Sequence, residues 1–257
     1  MIKSEILKHG YVHIDETRGK LLKTKTNGFI WAIANQKGAY FQYETTRSSK
    51  VADEILKDYS GYIISDGFSG YKKYQHKSHK VRSANCWSHA RRKFFDCVKQ
   101  YPKANEFLEM VSTLYRIEYE ARDFEHLRKL RSDKSSLVIN EIYQWLLKET
   151  KSATYRTKFD KALNYTKNLW EGLILFLEDP QIPLDNNRIE RALRNPVKGR
   201  DNYLGYQTIN GADVAMYFYT IIESCKMLKI NPRKYLKEMI LAEQVITPSE
   251  YKSLILN

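Results

Sequence analysis

The run Tyr62-Ile63-Ile64-Ser65-Asp66-Gly67 limits the fold of this chain more than any other. It is short, almost wholly apolar ahead of its acid and bounded by glycines, so it reads as a central strand buried on both faces. Three more strands are predicted upstream as a meander. Tyr11-Val12-His13-Ile14-Asp15 starts β-branched and aromatic and ends on an acid, Asn27-Gly28 marks a turn, and Phe29 to Ala34 follows. A second turn at Lys37-Gly38 leads into Ala39 to Tyr43. Ser48 or Ser49 then caps a helix with Val51, Ala52, Ile55, Leu56 and Tyr59 at helical spacing, and Gly61 stands where that helix should end. A helix between two strands makes a right-handed crossover, so the fourth strand is expected parallel beside the first. On that topology Asp15 and Asp66 finish neighbouring strands at one sheet edge.

From residue 86 the period changes. Cys86 is expected to end a fifth strand and His89 to start the next helix, where Trp87, Ala90, Phe94 and Val98 share a face. Most of residues 104 to 179 is helical in pattern, through Phe107, Val111, Leu114, Ile139, Ile142 and Leu146. This all-helical block stops at Asp179-Pro180. A further helix opens across Pro183 to Glu190, with Glu190 in its first turn, and is expected to end before Pro196.

Composition excludes several classes. With 257 residues the chain has room for one or two domains, and 42% apolar against 28% charged residues excludes disorder and low complexity. Leu173 to Leu177 is the longest apolar stretch, far below the roughly 18 residues that cross a bilayer, so no membrane partner is expected. The start, MIKSEILKHG, lacks a signal-peptide core, and Cys86, Cys97 and Cys225 make no disulfide framework; a cytoplasmic location is expected. The net charge of +13 points to a polyanionic partner. Residues 71 to 99 carry nine lysines or arginines against Asp96 alone, and residues 185 to 200 carry five against two acids. A solvated basic face is the plainer reading of either run.

Two carboxylates at the ends of adjacent strands repel unless a cation lies between them, and magnesium is the hard ion that oxygen ligands hold beside phosphates. The plainer reading is that acids end strands because they favour turns. Asn187 followed three residues later by Glu190 is also a capping-box pattern. Against simple capping, Arg191 and Arg194 follow on the same helix with Lys198 and Arg200 just beyond, a cation density suited to phosphate contact, and the side chain of Asn186 is near enough in sequence to reach a substrate. Cys86 and His89, with His76 and His79 upstream, offer four ligands for a structural zinc. A buried cysteine ending a strand and a histidine opening a helix is the preferred reading of that pair. Cys97 and Cys225 read as core residues on helical faces.

Four segments together resemble the catalytic region of insertion-sequence-66 family DDE transposases: His13-Ile14-Asp15-Glu16-Thr17, Ser65-Asp66-Gly67-Phe68 with Tyr71, Cys86-Trp87-Ser88-His89-Ala90-Arg91-Arg92-Lys93-Phe94, and Leu184-Asp185-Asn186-Asn187-Arg188-Ile189-Glu190-Arg191-Ala192. The segment Tyr217 to Ser224 through Asn231 to Leu236 is similar to the helical element that closes such proteins. The resemblance implies an α/β, ribonuclease H-like fold: a mixed five-stranded sheet flanked by helices and interrupted by a large all-helical insertion between the second and third acids. The implied divisions are residues 1–86 and 181–215 for the two parts of the core, 87–180 for the insertion and 216–257 for the C-terminal element. Asp15, Asp66 and Glu190 match the three catalytic, metal-holding acids. Mg²⁺ is the implied cofactor, with Mn²⁺ as a substitute, and Arg91, Arg92, Arg188, Arg191, Arg194, Lys198 and Arg200 are the candidate DNA contacts.

The implied activity is metal-dependent phosphodiester hydrolysis and strand transfer at transposon ends. The implied partners are double-stranded DNA, a second copy in a paired-end homodimer, and a separate DNA-binding chain. Family members are about twice this long and carry an amino-terminal coiled coil, a zinc-binding segment and a helix-turn-helix, whereas this chain begins just before its first catalytic strand; a truncated or split form is expected. Arg18 and Asp201 stand where the family tends to have proline and lysine. Two other readings remain open: a ribonuclease H-like nuclease that cuts without joining, and a non-catalytic nucleic-acid-binding remnant.

Overall fold

The computed structural model describes residues 1–67, 70, 71, 74, 80–151, 156–242 and 246–255. Strands β1 (Tyr11–Lys20), β2 (Asn27–Asn35) and β3 (Gly38–Glu44) form the expected antiparallel meander, and β4 (Gly61–Ser65) and β5 (Val81–Asn85) complete a mixed five-stranded sheet of order β3-β2-β1-β4-β5. The chain divides into two compact units: Met1–Ile63, Phe68–Val81 and Asn187–Asn257 make the first, and Ile64–Gly67 and Arg82–Asn186 the second.

Two strand expectations need correction. β1 does not end on Asp15 but continues to Lys20, so Asp15 is a mid-strand residue opposite Ala32. The extension is polar and largely exposed on one side, so no apolar alternation announces it; the ladder from Thr17↔Ile30 to Lys20↔Asn27 holds it. Asn27-Gly28 is not the turn but the start of β2, and the chain reverses over residues 21–26, where Leu21 N donates to Thr26 O at 2.9 Å. Gly28 is needed for close approach instead, because a side chain there would run into the Tyr43 ring and hydroxyl.

Alternation along the strands gives the first unit two apolar faces. On one, Val12, Ile14, Trp31 and Ile33 pack with Ile6 of α1 (Ile2–Leu7) and with Val51, Ala52 and Ile55 of α2 (Ser49–Ile55). Ser48 caps α2, its side chain accepting from Lys50 N at 3.2 Å. The helix stops at Ile55, short of the expected end at Gly61, although Leu56 and Tyr59 still join the core.

On the other face, Ile30, Ala32, Ala34, Phe41 and Tyr43 meet Ile189, Ala192 and Leu193 of α9 (Asn187–Asn202), and Ala212 and Met216 of α10 (Ile209–Met227). α9 was expected to stop before Pro196, yet it runs through it to Asn202. Pro196 is buried on the same face as Ile189, Ala192 and Leu193, and burial of that stripe outweighs the roughly 3 kcal/mol that an interior proline costs. α10 lies along β3: Ser224 Oγ bonds both Ala39 N and Ala39 O at 3.0 Å, and Thr220 Oγ1 accepts from Phe41 N at 3.0 Å. Helices α11 (Pro232–Leu241) and α12 (Pro248–Ile255) close a small cluster of Cys225, Leu228, Ile230, Tyr235 and Tyr251. Burial pushes the Cys225 thiol up to about 12, which fits its reading as an inert core residue.

The second unit carries the expected helical block: α3 (Trp87–Phe95), α4 (Ala104–Glu120), α5 (Phe124–Leu130), α6 (Ser136–Thr150), α7 (Lys158–Asn168) and α8 (Trp170–Ile174). Its centre is aromatic. Phe94 stacks on Phe107 at 3.9 Å between centroids, and Trp87, Trp145 and Phe159 surround that pair at 5.8 to 6.4 Å. These five rings are therefore committed to packing. Between α5 and α6 the residues Arg131–Ser135 form one wide π-turn, and the side chain of Arg131 is buried. It donates to both Glu118 oxygens at 2.8 and 2.6 Å, and to the carbonyls of Phe176, Asp179 and Ile182 at 2.5, 2.9 and 3.0 Å.

Replacing Arg131 by Met strips a partner from Glu118 and from three carbonyls at once, and should destabilise the chain by about 3–5 kcal/mol. Urea unfolding monitored by tryptophan fluorescence measures that loss; a change below about 1 kcal/mol would contradict the structural role.

Candidate active site

Asp15 and Glu190 both belong to the first unit. Directly opposed residues of an antiparallel pair share a face, and Asp15 opposes Ala32, one of the residues that α9 covers. Asp15 therefore projects toward the α9 side of the sheet. It is half-buried, and its Oδ1 accepts from Glu16 N at 2.8 Å. α9 runs along β1 in the same direction. At its far end Arg200 Nη1 donates to Thr17 Oγ1 at 3.2 Å and to the carbonyl of Arg18. At its near end the charge of Arg188 reaches the Tyr11 hydroxyl, opposing the rise in pKa that burial imposes on it. Glu190 lies between those ends, in the first turn, with its Oε1 withdrawn from solvent. Because α9 starts at Asn187, Asn187 is its first residue rather than its cap, which moves Glu190 out of the capping-box position.

The neighbour Glu16 points to the opposite face and has a structural partner set. Its side chain is 2% exposed, pairs with Arg47 (Nε to Oε1, 2.6 Å) and accepts from the Tyr71 hydroxyl. Adjacent acids on one strand thus have opposite surroundings.

Asp66 belongs to the second unit, one residue past β4. Its carbonyl accepts from the Tyr165 hydroxyl at 2.6 Å, and Gly67 N donates to Ser65 Oγ at 3.3 Å. Gly67 has φ +91°, and a Cβ there would come within 2.7 Å of Leu169, so only glycine allows the chain to turn here. Burial, then the nearby Asp66 and Cys86, raise the pKa of Tyr165, which keeps that phenol a donor.

Cys86 precedes α3 and is buried, while His89 lies in the first turn of α3 and is half-buried. Cys86 Sγ accepts from the backbone N of Asn186 at 3.1 Å. Two further bonds hold the residues beside Asn186: Trp87 N donates to Leu184 O at 2.9 Å, and the Tyr115 hydroxyl donates to Asp185 Oδ2 at 3.1 Å. The Leu184-Asp185-Asn186 segment is thereby fixed just ahead of α9, with Asn186 wholly buried and Asn187 half-buried. His76 and His79, the other zinc candidates, lie outside the described residues, as do Lys72, Lys73 and Lys77 of the first basic run.

The candidate cations fall into two kinds. Arg188, Arg191, Arg194 and Lys198 are exposed on α9, away from its buried stripe, and recur at near-helical spacing. Arg91 and Arg92 are exposed on α3, with Arg91 over the Phe95 ring at 5.9 Å. Arg200 differs, since Thr17, the Arg18 carbonyl and Asp201 Oδ1 at 3.2 Å take up its guanidinium. Sequence reasoning missed the buried Arg131, which has no sequence signal, and the polar roles of Tyr115 and Tyr165.

A transposase family profile covers most of this chain. The family is the one described as Transposase IS66 family, whose profile matches residues 1–214, and the chain belongs to it. Among curated proteins it is similar to the uncharacterized protein y4jD of Sinorhizobium fredii (strain NBRC 101917 / NGR234), 29% identical over 219 residues, or 80% of this chain and 42% of the relative. It is also similar to y4hP of the same strain, 28% identical over 221 residues, or 79% of this chain and 40% of the relative. A third, y4qI, is 28% identical over 236 residues, or 84% of this chain and 43% of the relative. The chain spans about two fifths of the length of these relatives.

Gly67→Ala should cost about 1–3 kcal/mol, because it combines positive-φ strain with a clash against Leu169. Chemical denaturation would read the loss; a neutral effect would mean that the turn after β4 adapts freely.

Proposed function

We propose that this chain is the catalytic region of a DDE-type DNA transposase, with Asp15, Asp66 and Glu190 as its acid set. The observation that carries the reading is the placement of Asp15 on the sheet face covered by α9, the helix that bears Glu190 in its first turn. Membership of the transposase family supports it. The division into a two-part ribonuclease H-like core (residues 1–86 and 181–215), a helical insertion (87–180) and a C-terminal element (216–257) belongs to the same proposal.

Three carboxylates are the donor chemistry that a hard divalent cation takes, and one Glu190 oxygen is screened from water. Asp15, Asp66 and Glu190 would hold Mg²⁺, or Mn²⁺ in its place, which when bound lowers the pKa of water and stabilises charge on the transferring phosphoryl group. The residues of the chain orient and neutralise. Arg188, Arg191, Arg194 and Lys198 on α9, and Arg91 and Arg92 on α3, meet backbone phosphates of duplex DNA. In the first step water attacks phosphorus and the bond to the 3′-oxygen breaks, leaving a 3′-hydroxyl and a 5′-phosphate. In the second, that hydroxyl attacks a target phosphodiester and displaces its 3′-oxygen. A homodimer on paired ends and a separate DNA-binding chain are the proposed partners.

Asp15→Asn, Asp66→Asn and Glu190→Gln should each lower Mg²⁺-dependent cleavage of an end-containing duplex by about a thousandfold or more, on the order of 4 kcal/mol in barrier. DNA retention by the variants should stay within about twofold, since the acids do not bind backbone phosphates directly. Chelation should abolish cleavage, and Mg²⁺ or Mn²⁺ should restore it. Pre-cut ends separate the related readings: joined products support a transposase, hydrolysis alone a nuclease. Cleavage undiminished in the three variants would overturn the assignment.

A further inference from the structure

The hairpin between β1 and β2 lies outside both basic runs noted in the sequence, yet from Thr17 through Tyr43 the chain has no acid while it carries Arg18, Lys20, Lys23, Lys25 and Lys37. Arg18, Lys20, Lys23 and Lys25 cluster on the hairpin's arm and tip, and all four are exposed. The tip is held in place. Leu21 is buried in the first unit's core and bridges to Tyr206. Leu22 N donates to Tyr206 O at 2.8 Å, Lys23 N to Gln207 O at 3.2 Å, and Tyr206 N to Lys20 O at 2.7 Å. Gly205 makes this contact feasible, since with φ +135° it passes so close that a Cβ would lie 2.6 Å from Lys20 O. Side by side with the arm is an open groove of about 580 Å³ lined by Thr17, Arg18, Lys20, Asn27, Arg200 and Asp201, among others. The one acid there, Asp201, accepts from Arg200 Nε at 3.2 Å, so the groove remains cationic.

We infer that this hairpin and its groove form a second contact for the sugar-phosphate backbone of duplex DNA, apart from the α9 and α3 cations. The partner class follows from the chemistry: exposed ammonium and guanidinium groups beside amide and hydroxyl donors suit phosphate oxygens and read no base sequence. Backbone anchoring to Tyr206 and Gln207 means that less chain is left to order on binding. The inference rests on the reading that the chain acts on DNA, and it locates where the duplex is gripped rather than cut.

The test compares the full chain with Lys20→Ala/Lys23→Ala/Lys25→Ala and with a control that removes equal charge from exposed helical positions, Lys129→Ala/Lys148→Ala/Lys161→Ala. Affinity for a generic DNA duplex is measured by fluorescence anisotropy over a salt series, with circular dichroism to establish folding. The hairpin variant should bind about tenfold more weakly at moderate salt, and its log K against log salt slope should flatten by about 2, as expected when two or three phosphate contacts are lost. The control should change far less. Equal losses in both variants, or an unchanged slope in the hairpin variant, would overturn the inference, as would a loss seen on duplex RNA and not on DNA. A wild-type chain that binds DNA through the hairpin but never cleaves would leave the inference standing and sink the proposed catalysis. Cleavage with an indifferent hairpin would do the reverse, and a chain that binds no DNA would overturn both.

Discussion

The buried guanidinium of Arg131 is the interaction on which the second unit of the fold depends. One side chain neutralises Glu118 and gathers the carbonyls of Phe176, Asp179 and Ile182. A buried charge of this kind is costly unless every donor is used, and arginine's five donors in a fixed plane match a carboxylate plus a turning backbone better than lysine's single ammonium. The chain leaves this knot at Ile182 and meets three more restraints in the next residues: Leu184 at Trp87, Asp185 at Tyr115 and Asn186 at Cys86. α9 then begins. The segment that ends the second unit is thus held by hydrogen bonds at Ile182, Leu184, Asp185 and Asn186 in turn.

Much of this was legible in the sequence where burial imposes a period. The meander, the buried β4 run and the helical block all follow from apolar spacing, and the order of the sheet from the helix between β3 and β4. What was not legible has a common physical origin. The far half of β1 and the passage of α9 through Pro196 are decided by partners distant in sequence, so local preference gave the wrong ends. Gly28 carried a turn signal yet answers to the Tyr43 ring. The acids were visible as acids, but that Asp15 is mid-strand and looks toward α9 while Glu16 looks away needs the register with β2.

The cations divide by occupation rather than by position in the chain. Arg131 and Arg200 are bound to carbonyls and hydroxyls of the fold and Arg191 Nε donates to Asn187 O at 3.2 Å, whereas Arg188, Arg194, Lys198 and the hairpin lysines remain turned to water. Net charge alone does not distinguish these groups, because counterion release on binding requires a cation that is not already matched inside the protein. Among basic residues of one chain, the geometry of their existing bonds says which are available to a polyanion.

The side-chain bonds from Ser224 and Thr220 to β3 carry one last consequence. An outermost strand normally offers its main chain as a template on which another molecule can polymerise, and here Ala39 N and O and Phe41 N are already claimed by a helix of the same chain. A strand laid along this margin would find those three positions taken, so the edge is blunted from within rather than by charge or proline.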